Sequence, residues 1–102
     1  MSRDREELQL ILEDILGSEE VYFQPPASVR MKYPAIVYSL ETITDFDAND
    51  RPYIHNKAYQ VTVIDKDPDS IIAEVISDLQ FCAFERSYAS NNLNHFVFRV
   101  FY

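Results

Sequence analysis

One glycine, one cysteine and no tryptophan occur in 102 residues, and nine basic side chains face seventeen acidic ones. With Gly17 as the single glycine, a glycine-rich phosphate loop is excluded, because such loops need several side-chain-free positions in a short span. The lone Cys82 excludes an internal disulfide and cannot by itself assemble a thiolate zinc site, which fits a reducing compartment. No stretch approaches the roughly 20 apolar residues that span a bilayer. The first apolar run, Leu8 to Leu16, is broken by Gln9, Glu13 and Asp14 and has no cleavage motif, so neither a membrane segment nor a secretory leader is expected. A formal charge of −8 with scattered bases argues against a partner held by phosphate neutralisation. An acidic wall is instead suited to letting a duplex slide past without sticking.

What is present is apolar and aromatic: 47% of the residues are hydrophobic and 14% aromatic, enough for one core without disulfides or metal. A single domain over 1–102 is expected. Asp4, with Glu7 three residues on, reads as a capping box, and Leu8, Ile11, Leu12, Ile15 and Leu16 recur on one helical face until Gly17 supplies a left-handed stop. Val21 to Gln24 reads as a short edge strand ended by Pro25 and Pro26, which lack backbone donors. Ala35 to Ile43 and Lys57 to Asp65 alternate as strands and form a hairpin whose tip, Thr44 to Asn56, is rich in turn residues. Asp67 as cap, Pro68 at the first position and Asp69 in the first turn predict a second helix burying Ile72, Val75, Ile76 and Leu79. A closing hairpin places Cys82, Phe84, Arg86 and Tyr88 on one face, turns at Ser90, Asn91 and Asn92, and returns through Asn94 to Tyr102. The order is α-β-β-β-α-β-β, an α+β chain.

The residues that suggest chemistry do not assemble into a site. Asp65, Asp67 and Asp69 begin like a calcium loop, but Ser70 and Ile76 stand where glycine and a bidentate glutamate are required. His55 and His95 belong to no metal or nucleophile motif, and Cys82 beside Phe81 and Phe84 reads as a small packed thiol. No catalytic residue, cofactor or metal site is expected. The aromatic closing strands would suit single-stranded RNA only with flanking bases, and Arg86 and Arg99 alone are near, so core and interface packing is the stronger reading. The hairpin tip combines Phe46, Arg51, Pro52, Tyr53, Ile54 and His55 with polar turn residues. Long loops in compact domains are often functional, which makes this set the interface candidate.

Several segments carry a resemblance: Tyr33 to Leu40 (YPAIVYSL), Asn49 to Tyr53 (NDRPY), Val61 to Ser70 (VTVIDKDPDS), Phe81 to Tyr88 (FCAFERSY) and Asn91 to Phe98 (NNLNHFVF). Together they resemble the tail-terminator or tail-completion proteins, the head-tail joining proteins, of long-tailed bacteriophages. The resemblance implies a mixed, mainly antiparallel sheet with two helices packed on it, and a six-membered ring at the head-proximal end of the tail tube. Such a ring stops tube polymerisation and offers a head-attachment surface. Its partners would be further copies, the tail-tube protein and a head-completion or connector protein, with DNA passing through unbound in the virion. Two alternatives stay open: another head-tail connector or tail-tube component of the same assembly, and a small nucleic-acid-binding module.

Overall fold

A computed structural model describes residues 5–46 and 54–101, with side chains described outside 42–56. Helix α1 (Arg5–Leu16) leads into strands β1 (Val21–Phe23), β2 (Ala35–Phe46) and β3 (Ile54–Asp65), helix α2 (Ile71–Ser77), and strands β4 (Cys82–Ser90) and β5 (Leu93–Phe101). The sheet order is β1-β2-β3-β5-β4, with β1 parallel to β2 and every other pair antiparallel. The chain is therefore α+β with a mixed, mainly antiparallel sheet, in the element order read from the sequence.

Both helices pack on one sheet face. Leu8 and Leu12 from α1 and Ala73 and Ile76 from α2 meet Ile36 and Tyr38 of β2, Tyr59, Val61 and Val63 of β3, and Phe98 and Val100 of β5. Alternation puts each strand's set on this face, as a period of two requires. Gly17 ends α1 at φ 78°, its N–H donating to the Glu13 carbonyl at 2.8 Å. Asp4 lies outside the described residues. A polar cluster fastens α1 to the sheet: Arg5 and Gln9 flank the Tyr38 hydroxyl, which accepts from Arg5 at 3.2 Å and donates to Gln9. Gln9 also donates to the Val21 carbonyl at 3.0 Å, so the ring of a fully buried tyrosine keeps its oxygen satisfied.

Four local expectations are corrected. The cap of α2 is Ser70, whose Oγ accepts from the Ala73 N–H at 3.2 Å, and not Asp67. Asp65 and Asp67 accept from the backbone two residues on, Asp67 N–H at 3.0 Å and Asp69 N–H at 2.9 Å, making successive Asx turns that delay the helix by a turn. Of the expected inward set of α2, Ile76 is buried and Ile72 and Leu79 pack against the core, but Val75 is 42% exposed and Ala73 is buried instead. The strands of the central hairpin run farther than Ile43 and Lys57, pairing out to Phe46 with Ile54. Finally, the extra residue Glu85 between Phe84 and Arg86 bulges β4, so Phe84 lies across from Phe98 on the helix face while Tyr88 meets His95 on the other.

Candidate functional site

The reactive groups are dispersed. Cys82 opens β4, half-buried against the core, and burial pushes its thiol up to about 11, so it stays protonated and unreactive near neutral pH. His95 lies on β5, its ring stacked on Tyr88 at 4.6 Å and 6°, whereas the backbone of His55 sits near the far end of β3, paired with Asp45. Among the described residues no group of three or more His, Cys, Asp or Glu is placed to hold a metal ion. No helix among them is long and apolar enough to cross a membrane.

The surfaces are more informative. Neither helix lies on the second sheet face, which carries Ala35, Val37, Ala58, Thr62, Ile64 and Val97; Ala35, Ala58 and Val97 are buried there nonetheless. Above this strip lies an ion cluster built by two bulges. Glu41 is the extra residue of β2 and Glu85 that of β4, and both reach Arg99 of β5. Arg99 Nε donates to Glu41 Oε2 at 3.2 Å, Nη2 donates to Glu41 Oε1, and Nε lies 3.3 Å from Glu85 Oε1. The Glu41 carboxylate raises the Arg99 pKa above its ordinary value. Arg86 in turn lies 3.6 Å from Glu85. The two arginines nearest the aromatic strands are thus already engaged with carboxylates, which leaves little free charge for a phosphate backbone.

On the helix face α2 is too short to cover the sheet, and a groove of about 440 Å³ remains beside it. Phe84, Phe96 and Phe98 floor it, Ser70, Ala73 and Ser77 wall it, and Asp69 and Glu74 also line it. Phe84 remains 56% exposed although it packs edge-on against Phe98 at 5.4 Å.

The two sheet edges differ. β1 offers three residues and is followed by Gln24 at φ 45° and by Pro25 and Pro26, so nothing longer can pair there. β4 offers nine, and Ala83 through Ser90 are all exposed. The central hairpin also outruns its neighbours: β5 accompanies β3 only as far as Ala58 opposite Phe101, and β1 accompanies β2 only as far as Tyr38. Ile43–Phe46 and Ile54–Lys57 therefore form a two-stranded arm with no third strand beside it among the described residues.

Of the interface candidates, Phe46, Ile54 and His55 are set by their backbone on this arm, and Arg51, Pro52 and Tyr53 lie outside the described residues. The sequence reading missed the Glu41–Arg99–Glu85 cluster and the groove at Phe84. Nothing in the alternation marks a bulge, and the groove depends on how α2 and the residues before it seat against β4 and β5. No family model, no curated protein and no solved structure matches this chain.

Proposed function

We propose that this chain is a structural, non-enzymatic protein of a long-tailed bacteriophage virion, a subunit of a six-membered ring that caps the head-proximal end of the tail tube. The ring stops tube growth, presents a head-attachment surface to a connector or head-completion protein, and lets DNA pass without specific binding. The observation that carries this reading is the arm of Ile43–Phe46 and Ile54–Lys57, which leaves the sheet unaccompanied among the described residues. An isolated two-stranded hairpin is marginal in water, so such an arm is an element that a neighbouring subunit completes. The helix-free sheet face and the open β4 edge are further surfaces of the same kind, and a ring needs two different ones, since front meets back. A charge of −8 suits a lumen that DNA traverses.

Negatively stained micrographs of the purified protein, alone and mixed with tail tubes, test this. Rings at one tube end, with shorter and uniform tubes, are the expected result. A protein that stays monomeric and leaves tube ends bare removes the reading; one that polymerises into tubes by itself is a tube subunit instead.

A further inference from the structure

We infer that the β2–β3 arm of one copy adds as an extra strand pair to the Ser87–Ser90 stretch of the β4 edge of the next copy. This inference rests on the ring reading for its head-to-tail sense and names the two surfaces that meet.

Three features of the backbone lead to it. First, the arm is short of partners. Its four residue pairs, Ile43 with Lys57 through Phe46 with Ile54, reach about 13 Å past the last accompanying strand among the described residues, which leaves outward N–H and C=O groups on both sides there. Second, the receiving edge is open and of matching length. The devices that protect a sheet edge, a bulge and charged side chains, sit at Glu85 and Arg86, whereas Ser87, Tyr88, Ala89 and Ser90 carry neither charge nor proline. That leaves four residues for four. Third, the geometry forbids a copy from satisfying itself. The arm leaves the sheet at the end where Ala58 meets Phe101 and Cys82 meets Val100, while Ser87–Ser90 lies at the opposite end, near Asp65 and Asn94, with β5 between. The contact is therefore intermolecular and directional.

The turn fixes which groups face outward. Asn91 and Asn92, at φ 54° and 63°, form a two-residue hairpin turn closed by Ser90 and Leu93, so that pair is hydrogen-bonded. Alternation then leaves the N–H groups of Ala89 and Ser87 pointing away from β5, toward an incoming strand. Proline at 89 removes an outward donor without touching the internal ladder.

The test uses two full-chain variants that each lack one half of the contact. In the first, residues 43–57 are replaced by Asn-Gly; in the second, Ala89→Pro blocks the edge, with Ala89→Lys as a milder version. Amide spectra establish that each is folded. Sedimentation equilibrium is expected to show concentration-dependent assembly of the unaltered protein, a single monomeric mass for each variant alone, and a doubled mass for their 1:1 mixture, since one intact arm then finds one intact edge. An armless variant that assembles like the unaltered chain, or an unaltered chain that assembles while the mixture stays monomeric, overturns the pairing and leaves the ring reading standing. An unaltered chain that stays monomeric at every concentration overturns the pairing as well. The ring reading falls separately, on bare tube ends in micrographs.

Discussion

Phe98 shows what a single side chain carries in this sheet. It is 1% exposed, it lies between Val61 and Phe84 on the helix face, and it closes the core beneath α2. Phe98→Ala is expected to cost about 3–5 kcal/mol, read from urea unfolding, because a buried aromatic ring is lost from the core and leaves a cavity. Ser70 is a smaller and sharper case. Removing the capping oxygen with Ser70→Ala is expected to cost about 1 kcal/mol, and Asp67→Ala distinctly less; the reverse order would restore Asp67 as the cap. Cys82 gives a pH prediction whose sign follows from its raised thiol pKa. The folded protein holds the proton up to about 11 and the unfolded chain only to about 8.5, so burial of the neutral thiol stabilises below the lower value and is lost as pH rises between the two. Thiol labelling of the native protein at pH 8 is expected to be slow and to accelerate toward pH 11; fast labelling at pH 7 contradicts the burial.

At the scale of elements, the parts that pack and the parts that project behave differently. α1, β3 and β5 are tied into the core, whereas Ile43–Phe46 and Ile54–Lys57 pair only with each other among the described strands. Replacing 43–57 by a two-residue turn is therefore expected to change the unfolding free energy by no more than about 1 kcal/mol. Amides of Ile43–Phe46 and Ile54–Lys57 should exchange early in the free chain, and protection of them equal to that of Val61 or Val63 would show that the arm is part of the core. The strands were legible because alternation exposes them: Ile36, Tyr38, Val61, Val63, Phe96 and Phe98 fall on one face as read. The start of α2 was not, since Asp67-Pro68-Asp69 satisfies the rules for a helix cap and also those for Asx turns, and local chemistry does not choose between them. The bulges at Glu41 and Glu85 were invisible for a related reason: a bulge changes which residues face each other without changing the residues.

Across the whole molecule, charge and uncovered surface set the behaviour. With −8 overall and Arg99 and Arg86 beside carboxylates, binding to duplex DNA at about 0.15 M salt is expected to be undetectable by fluorescence anisotropy; a salt-dependent affinity would favour a nucleic-acid-binding module. Tyr53 lies outside the described residues, but its place in the sequence beside the arm gives a further expectation: Tyr53→Ala weakens self-association by calorimetric dilution while the melting temperature stays put.

Taken by itself, the order of residues determined the α+β class, the succession of seven elements, the inward sets of β2, β3 and β5, and the lack of any motif for phosphate, zinc or nucleophilic chemistry. These follow from periodicity and from residue type, which act within a few positions along the chain. Only the tertiary structure decided that both helices share one face, that the hairpin outruns its neighbours, that β1 and β4 become the edges, and that Glu41 and Glu85 converge on Arg99. Those outcomes depend on which strands pair and in what register, a choice made by contacts between residues up to 58 positions apart.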